Sequence, residues 1–328
     1  MIRIALFLLP LYFFAGCNKK NEVSPPKLNE VPNNVFIAGT VYDKSMQFST
    51  ATYWNDGNSN SLPNSDNQSV AMAIEVVGND EYVAGHENFN AKIWKNGVGS
   101  LLPGGDYTIL SDIVVQGEDV YVCGTRYDSI APIYKPVYWK NGTRIFLGPT
   151  GTRGFASAMA ILGNDVFVVG NDSNYATYWL NGLPTRISDG KKPENINALF
   201  IVGQNVYLAG NEAAANGNFI AKYWINGKPF LLSDSTKNNV ITGMYVDVND
   251  VYVCGTEYLK GGKKVAVFWK NGIRQDLDGV SANAIIVKGT DVFIVGQSNI
   301  SEAVLWKNGL PSILRKNYYG AANSIFIK

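Results

Sequence analysis

Short apolar runs separated by polar turns recur along this chain at a fixed interval. VFIAG at Val35 returns as EYVAG at Glu81, VYVCG at Val120, VFVVG at Val166, VYLAG at Val206, VYVCG at Val251 and VFIVG at Val292. The spacings are 46, 39, 46, 40, 45 and 41 residues. A second landmark follows each run: WNDG at Trp54, WKNG at Trp94 and Trp139, WLNG at Trp179, WING at Trp224, and WKNG again at Trp269 and Trp306. These are all seven tryptophans of the chain. Between landmarks, each repeat holds four β-rich pieces. In one copy AMAILG (158–163) leads through Gly-Asn-Asp to VFVVG, then a loop, ATYW (176–179), Asn-Gly, and LPTRI (183–187). Asn-Gly and Asn-Asp tolerate the positive φ of tight hairpin turns, so the pieces read as consecutive antiparallel strands a, b, c and d.

The strands lack clean in-and-out alternation; VYVCG and VFIVG are apolar on both faces. A lone antiparallel sheet would leave one such face in water. Sheets packed radially bury both, and repeats of 40–45 residues with four strands each predict propeller blades. The tryptophan shares one face of strand c with the residue two before it. Tyr53, Ile93, Tyr138, Tyr178, Tyr223, Phe268 and Leu305 take the other face. An indole here would fill the gap between diverging blades, contributing several kcal/mol at about 25 cal/mol per Å² of buried area. The first repeat begins at strand b, and the last runs on into ANSIFIK (322–328), which has the pattern of strand a. The expected fold is all-β: a closed seven-bladed β-propeller over residues 33–328, four antiparallel strands per blade, with Lys328 beside Asn33. An open solenoid, the competing architecture, would need polar caps at its ends.

The first residues differ in kind. Arg3 precedes an apolar run from Ile4 to Phe14, shorter than the roughly 20 residues of a membrane span and suited to a signal peptide. Phe14-Ala15-Gly16-Cys17 resembles the bacterial lipobox, although Phe14 departs from the usual Leu. That resemblance implies a signal peptide at 1–16, a lipidated Cys17 that contacts the bilayer through its acyl chains, and a polar tether over 17–32. Asn18, where Asp would favour the inner membrane, implies the outer membrane without assigning a leaflet. The chain carries 28 basic and 27 acidic side chains; loss of Arg3 makes them equal. Without a basic stripe, nucleic acid is not an expected partner.

The architecture is similar to that of WD-repeat and kelch propellers, but their signatures are absent. The repeats resemble most the tandem YVAG/YWKNG repeats of secreted bacterial proteins. That resemblance covers residues 33–328 and implies a fold rather than an activity.

Candidate chemistry is sparse. Cys123 and Cys254 share one position of strand b three blades apart, too far for a disulfide, and read as small buried hydrophobes. His86 is the one histidine. It stands where other repeats place Thr40, Thr125, Asn171, Asn211, Thr256 and Gln297, a set suited to anchoring loops. The enzymatic alternative makes it the general base of a lyase or hydrolase. No cofactor or metal is expected: Gly261-Gly262-Lys263-Lys264 reads as a hairpin tip, and Asn171-Asp172-Ser173-Asn174 is too short for a calcium loop. The separation from strand-b Gly to Trp is 15, 9, 15, 9, 14, 14 and 10 residues, so the b–c loops vary. They share a face with the d–a loops. Tyr42, Arg126, Tyr127, Tyr258 and Lys260 from the former, with Tyr107, Arg153, Phe155, Tyr318 and Tyr319 from the latter, form the candidate ligand face together with His86. Mixed aromatic and cationic side chains suit a glycan or a protein partner. The expectation is a monomeric, lipid-anchored binding or scaffold module of the cell envelope. A purely structural envelope protein is the further alternative.

Overall fold

The computed structural model describes residues 31–328 except 44, 64–67 and 150. The segments expected to be a signal peptide and a tether, with Cys17, lie outside the described residues up to residue 30. The described residues form seven four-stranded antiparallel sheets. Blade 1 is composite: Gly320–Ile327 pairs with Val35–Tyr42, which continues to Ser49–Asn55 and Asn58–Ser61. Blades 2 to 7 then occupy 69–101, 108–146, 154–186, 194–231, 239–277 and 281–313. The ring closes as expected, with the Lys328 amide donating to the Asn34 carbonyl at 3.0 Å.

Three features of the repeat explain its signature. The first is the tryptophan. All seven indoles are 2% exposed or less, and each packs on the preceding blade: Trp54 lies among Phe293, Val295 and Leu305, Trp139 among Tyr82, Ala84 and Leu102. Two also donate across that seam, Trp94 to the Pro63 carbonyl at 3.3 Å and Trp139 to that of Pro103 at 3.1 Å.

The second is the strand-b glycine. Strand a carries a β-bulge opposite it in every blade; in blade 2 the register slips between Ala71 and Ala73 against Gly85 and Ala84. A Cβ on Gly85 would collide with the Val70 carbonyl, and one on Gly124 with that of Ile109. Glycine is therefore required where the bulge crowds the partner strand. The extra residue turns toward the ring axis. Ser111 donates to the Ala156 carbonyl of the next blade at 2.9 Å, Asn197 to Ile241 at 2.6 Å and Thr242 to Ala282 at 2.6 Å. Asn283 reaches Ala322 at 2.9 Å, and Asn323 reaches Ala71 at 2.8 Å across the closure. Blade 2 offers Met72 instead, which has no such donor.

The third is the Asn of the c–d turn. Asn271 has φ +52, as a primed turn requires. Its side chain also clasps the neighbouring a–b turn: Oδ1 accepts from Val251 N at 2.8 Å, and Nδ2 donates to Asp250 Oδ1 at 2.7 Å. Asn96, Asn141, Asn181 and Asn308 repeat both bonds. Where the residue before this Asn is lysine, it adds a salt bridge to the same Asp and lies over an aromatic ring. Lys140 does so with Asp119 at 2.8 Å and Tyr121 at 5.1 Å. The described chain enters on this clasp face, where Val31 packs beside Gly57.

Candidate functional site

The opposite face carries the b–c and d–a loops. Its centre holds a cavity of about 720 Å³ over blades 2 to 5. Blade 3 supplies Tyr107, Ile109, Tyr127 and Tyr134, blade 2 Phe89, and blade 4 Phe155. The floor is polar and uncharged: Ser111, Thr125, Ser157, Asn171, Asn195 and Asn197. Ser111, Ser157 and Asn197 also line the narrow axial channel below, so the cavity is the mouth of that channel.

The long hairpin of blade 3 builds the wall. Its strands, Asp119–Asp128 and Ile133–Lys140, extend the pairing far enough to set Tyr134 opposite Tyr127. Their ring centroids are 5.3 Å apart, and Tyr134 stacks on Phe155 at 5.3 Å with 28° between planes. Offset stacking of this kind adds to area burial, yet Tyr134 and Phe155 remain 43% and 46% exposed. On the far rim, Phe89 and Tyr107 are 57% and 60% exposed. Both are held at positive φ, +63 and +51. Phe89 follows Asn88 (φ +48) in a two-residue hairpin, at a position where glycine is favoured. An aromatic residue there costs about 1 kcal/mol or more of backbone strain. The fold gains little from so exposed a ring, so the cost falls where a ligand could repay it.

On the floor, Asn195 donates to Asn197 Oδ1 at 3.0 Å, while its own Oδ1 has no partner among the described residues. Ser157 stands at a bulge position but makes no clamp to blade 5 in the manner of Ser111. Those two oxygens are free to bond a ligand.

The sequence-derived residues divide. Tyr107, Tyr127 and Phe155 line the cavity. Tyr42 and His86 line a smaller neighbour of about 210 Å³ with Gln47, Ser49, Gln68, Val70 and Phe89. His86 stacks on Phe89 at 6.4 Å, its buried Nδ1 has no hydrogen-bond partner, and burial lowers its pKa. Among the described residues no carboxylate lines this smaller cavity, and Tyr42 is the other titratable side chain in its lining. Arg126 is tied to Asp106 at 2.6 Å. Arg153 is exposed, and its carbonyl accepts from Ser173 N at 2.6 Å. Tyr258 lies beneath Lys264 at 5.2 Å, and Lys260 sits in the exposed tip turn of the same hairpin. Arg315 stacks on Tyr318 at 4.0 Å. The Tyr319 carbonyl accepts from Tyr42 N at 2.8 Å. These last six line neither cavity, and of the mixed aromatic and cationic set expected, the larger cavity takes aromatic residues alone. Cys123 and Cys254 are free, buried thiols, and burial pushes Cys254 up to about 12.

No protein-family profile matches the chain, and no curated protein matches it. Solved structures share its architecture. A Mycobacterium tuberculosis puromycin-hydrolyzing peptidase is 13% identical with a TM-score of 0.57, over 88% of this chain and 53% of that one. The Pseudomonas aeruginosa periplasmic gluconolactonase PpgL is 9% identical, TM-score 0.53, over 90% and 99%. The propeller domain of the Trilobed protease from Pyrococcus furiosus, described as having an open velcro topology, is 10% identical, TM-score 0.51, over 89% and 97%. The chain spans about half the length of the peptidases it resembles. The likeness defines the class, a seven-bladed β-propeller, and at this identity it is one of fold.

Proposed function

We propose that this chain is a lipid-anchored binding module of the cell envelope, held at the outer membrane through acylated Cys17, with its loop face receiving a glycan or a protein. The aromatic cavity supports this reading: its rings stay exposed, two of them on strained backbone. Its volume falls within the roughly 300–1,000 Å³ of ligand sites. The direction of chain entry supports the orientation. Val31 lies on the clasp face, so a lipid upstream of it would turn the loop face away from the bilayer.

The alternative lyase or hydrolase centred on His86 draws no support from the similar folds, whose likeness is architectural. A photo-crosslinking residue at Ile109, in the cavity wall, tests the binding reading when compared with one at Leu310 on the clasp side. Adducts from envelope material at Ile109 alone are expected. Equal labelling at both positions, or none, would leave the structural-protein alternative in place. Membrane fractionation of Cys17→Ser tests the anchor, with release to the soluble fraction expected.

A further inference from the structure

We infer that the cavity at the channel mouth takes a neutral saccharide, a short oligosaccharide or the end of a longer glycan. This rests on the reading of the loop face as a binding surface and narrows it to one ligand chemistry.

Charge is the first argument. Among the described residues, no Asp, Glu, Lys, Arg or His lines the cavity. Two ion pairs flank it, Arg126 with Asp106 at 2.6 Å and Lys135 with Asp128 at 2.6 Å. An anionic or cationic ligand would lose its hydration there without gaining a counter-charge. The wall is the second. Tyr134 and Phe155 stack at 5.3 Å and 28° into a two-ring platform, and Tyr127 tilts 54° across its end at 5.3 Å from Tyr134. Flat apolar ring faces complement the C–H faces of sugars through dispersion and weak C–H contacts. The floor is the third. The unpartnered Asn195 Oδ1 and the Ser157 hydroxyl stand below the platform, beside the hydroxyls of Ser111 and Thr125. A purely hydrocarbon ligand would strip water from these groups and return nothing. Sugars carry apolar faces and hydroxyl edges on one body, which matches a wall of rings over a floor of amides and hydroxyls. A folded protein partner fits less well. Specific protein interfaces cover about 800 Å² per partner on extended surfaces, whereas here the exposed rings turn into a concave mouth.

The test is an array of neutral oligosaccharides (gluco-, galacto-, manno-, xylo- and N-acetylhexosamine chains) probed with the full chain, then calorimetry with the strongest binder. Binding that persists in added salt is expected. Tyr134→Ala and Phe155→Ala should each weaken it by about tenfold. Tyr134→Phe should retain it, and Tyr258→Ala, outside the cavity, should leave it unchanged. Unfolding midpoints of all four should stay near that of the parent. An array without a binder overturns the inference, as does binding indifferent to Tyr134 and Phe155. If the array is blank while Ile109 still crosslinks a protein or an acidic glycan, the binding-face reading survives and the neutral-saccharide inference fails. If both are blank, both fail.

Discussion

The clasp face and the loop face are built from the same strands and follow opposite rules. On the clasp face the same atoms recur from blade to blade. Asn Nδ2 meets Asp Oδ1 at 2.7 Å in blades 2, 3, 6 and 7 and at 2.8 Å in blade 4. Blade 5 substitutes Asn205 for the Asp, at 2.8 Å. On the loop face one backbone bond recurs where strand d ends, as from Leu102 N to the Ala91 carbonyl and from Leu232 N to that of Ala221 at 2.9 Å each, but the b–c hairpins above it differ: blade 3 extends one, blade 2 bends one around Phe89, and blade 6 caps one with the turn Lys260–Gly262. Repetition marks what holds the ring together. Departure from it, where it leaves large rings in water on strained backbone, marks where the ring meets something else.

Blade 3 offers the sharpest contrast, because Trp139 and Tyr134 occupy one strand. Trp139→Ala should cost about 3–5 kcal/mol, read as a lower urea midpoint, by removing a wholly buried wedge and its bond to Pro103. Tyr134→Ala should move the midpoint by less than about 0.5 kcal/mol. Next in size is the clasp. Asn271→Ala loses two hydrogen bonds and places alanine at φ +52, an expected loss of about 2 kcal/mol. Asn271→Gly should recover the backbone part of that loss. An equal effect from Tyr134→Ala would erase the distinction between the faces.

A smaller effect comes from the axial wall between them. Asp112, where other blades carry Ala73, Ala158, Ala198 and Ala284, accepts from Ile113 N and Met159 N at 2.9 Å each. Burial raises its pKa to about 6. Burial, with Asp112 nearby, raises Glu75 to about 7. Unfolded, both release their protons near pH 4. Between that point and about pH 7 these two groups therefore hold more protons in the folded chain, and their contribution to stability falls as pH rises, while the buried His86, its pKa lowered, contributes one smaller opposing change. The unfolding midpoint should decline over this window, and Glu75→Gln with Asp112→Asn should flatten the slope.

Much of the scaffold was legible in the sequence because period and turn chemistry are local. The strands, the blade count, the composite blade and the buried indoles all follow from spacing and from Asn-Gly. The reason for the strand-b glycine was not legible, since it lies in a bulge on another strand, nor was the reach of the turn Asn back to the Asp of the a–b turn in its own blade. The site was half legible. Tyr107, Tyr127 and Phe155 could be assigned to the loop face from their position in the repeat. Tyr134, Asn195 and Asn197 could not, because their convergence depends on hairpin length and on three blades meeting at an axis. Arg126 was expected to be available, but pairing with Asp106 across a loop is invisible in linear order. One signal was present and passed over: Asn88-Phe89, a bulky ring where a two-residue hairpin favours glycine.

That hairpin gives the most direct measurement, because at Phe89 the demands of folding and of binding point in opposite directions. Phe89→Gly should be examined for its urea midpoint and for its affinity for the neutral saccharide selected on the array. The expected result is a midpoint unchanged or raised, since strain at φ +63 is relieved, together with weaker saccharide binding. A lowered midpoint with undiminished binding would contradict the account, making Phe89 part of the scaffold and the loop face no more specialised than the clasps beneath it.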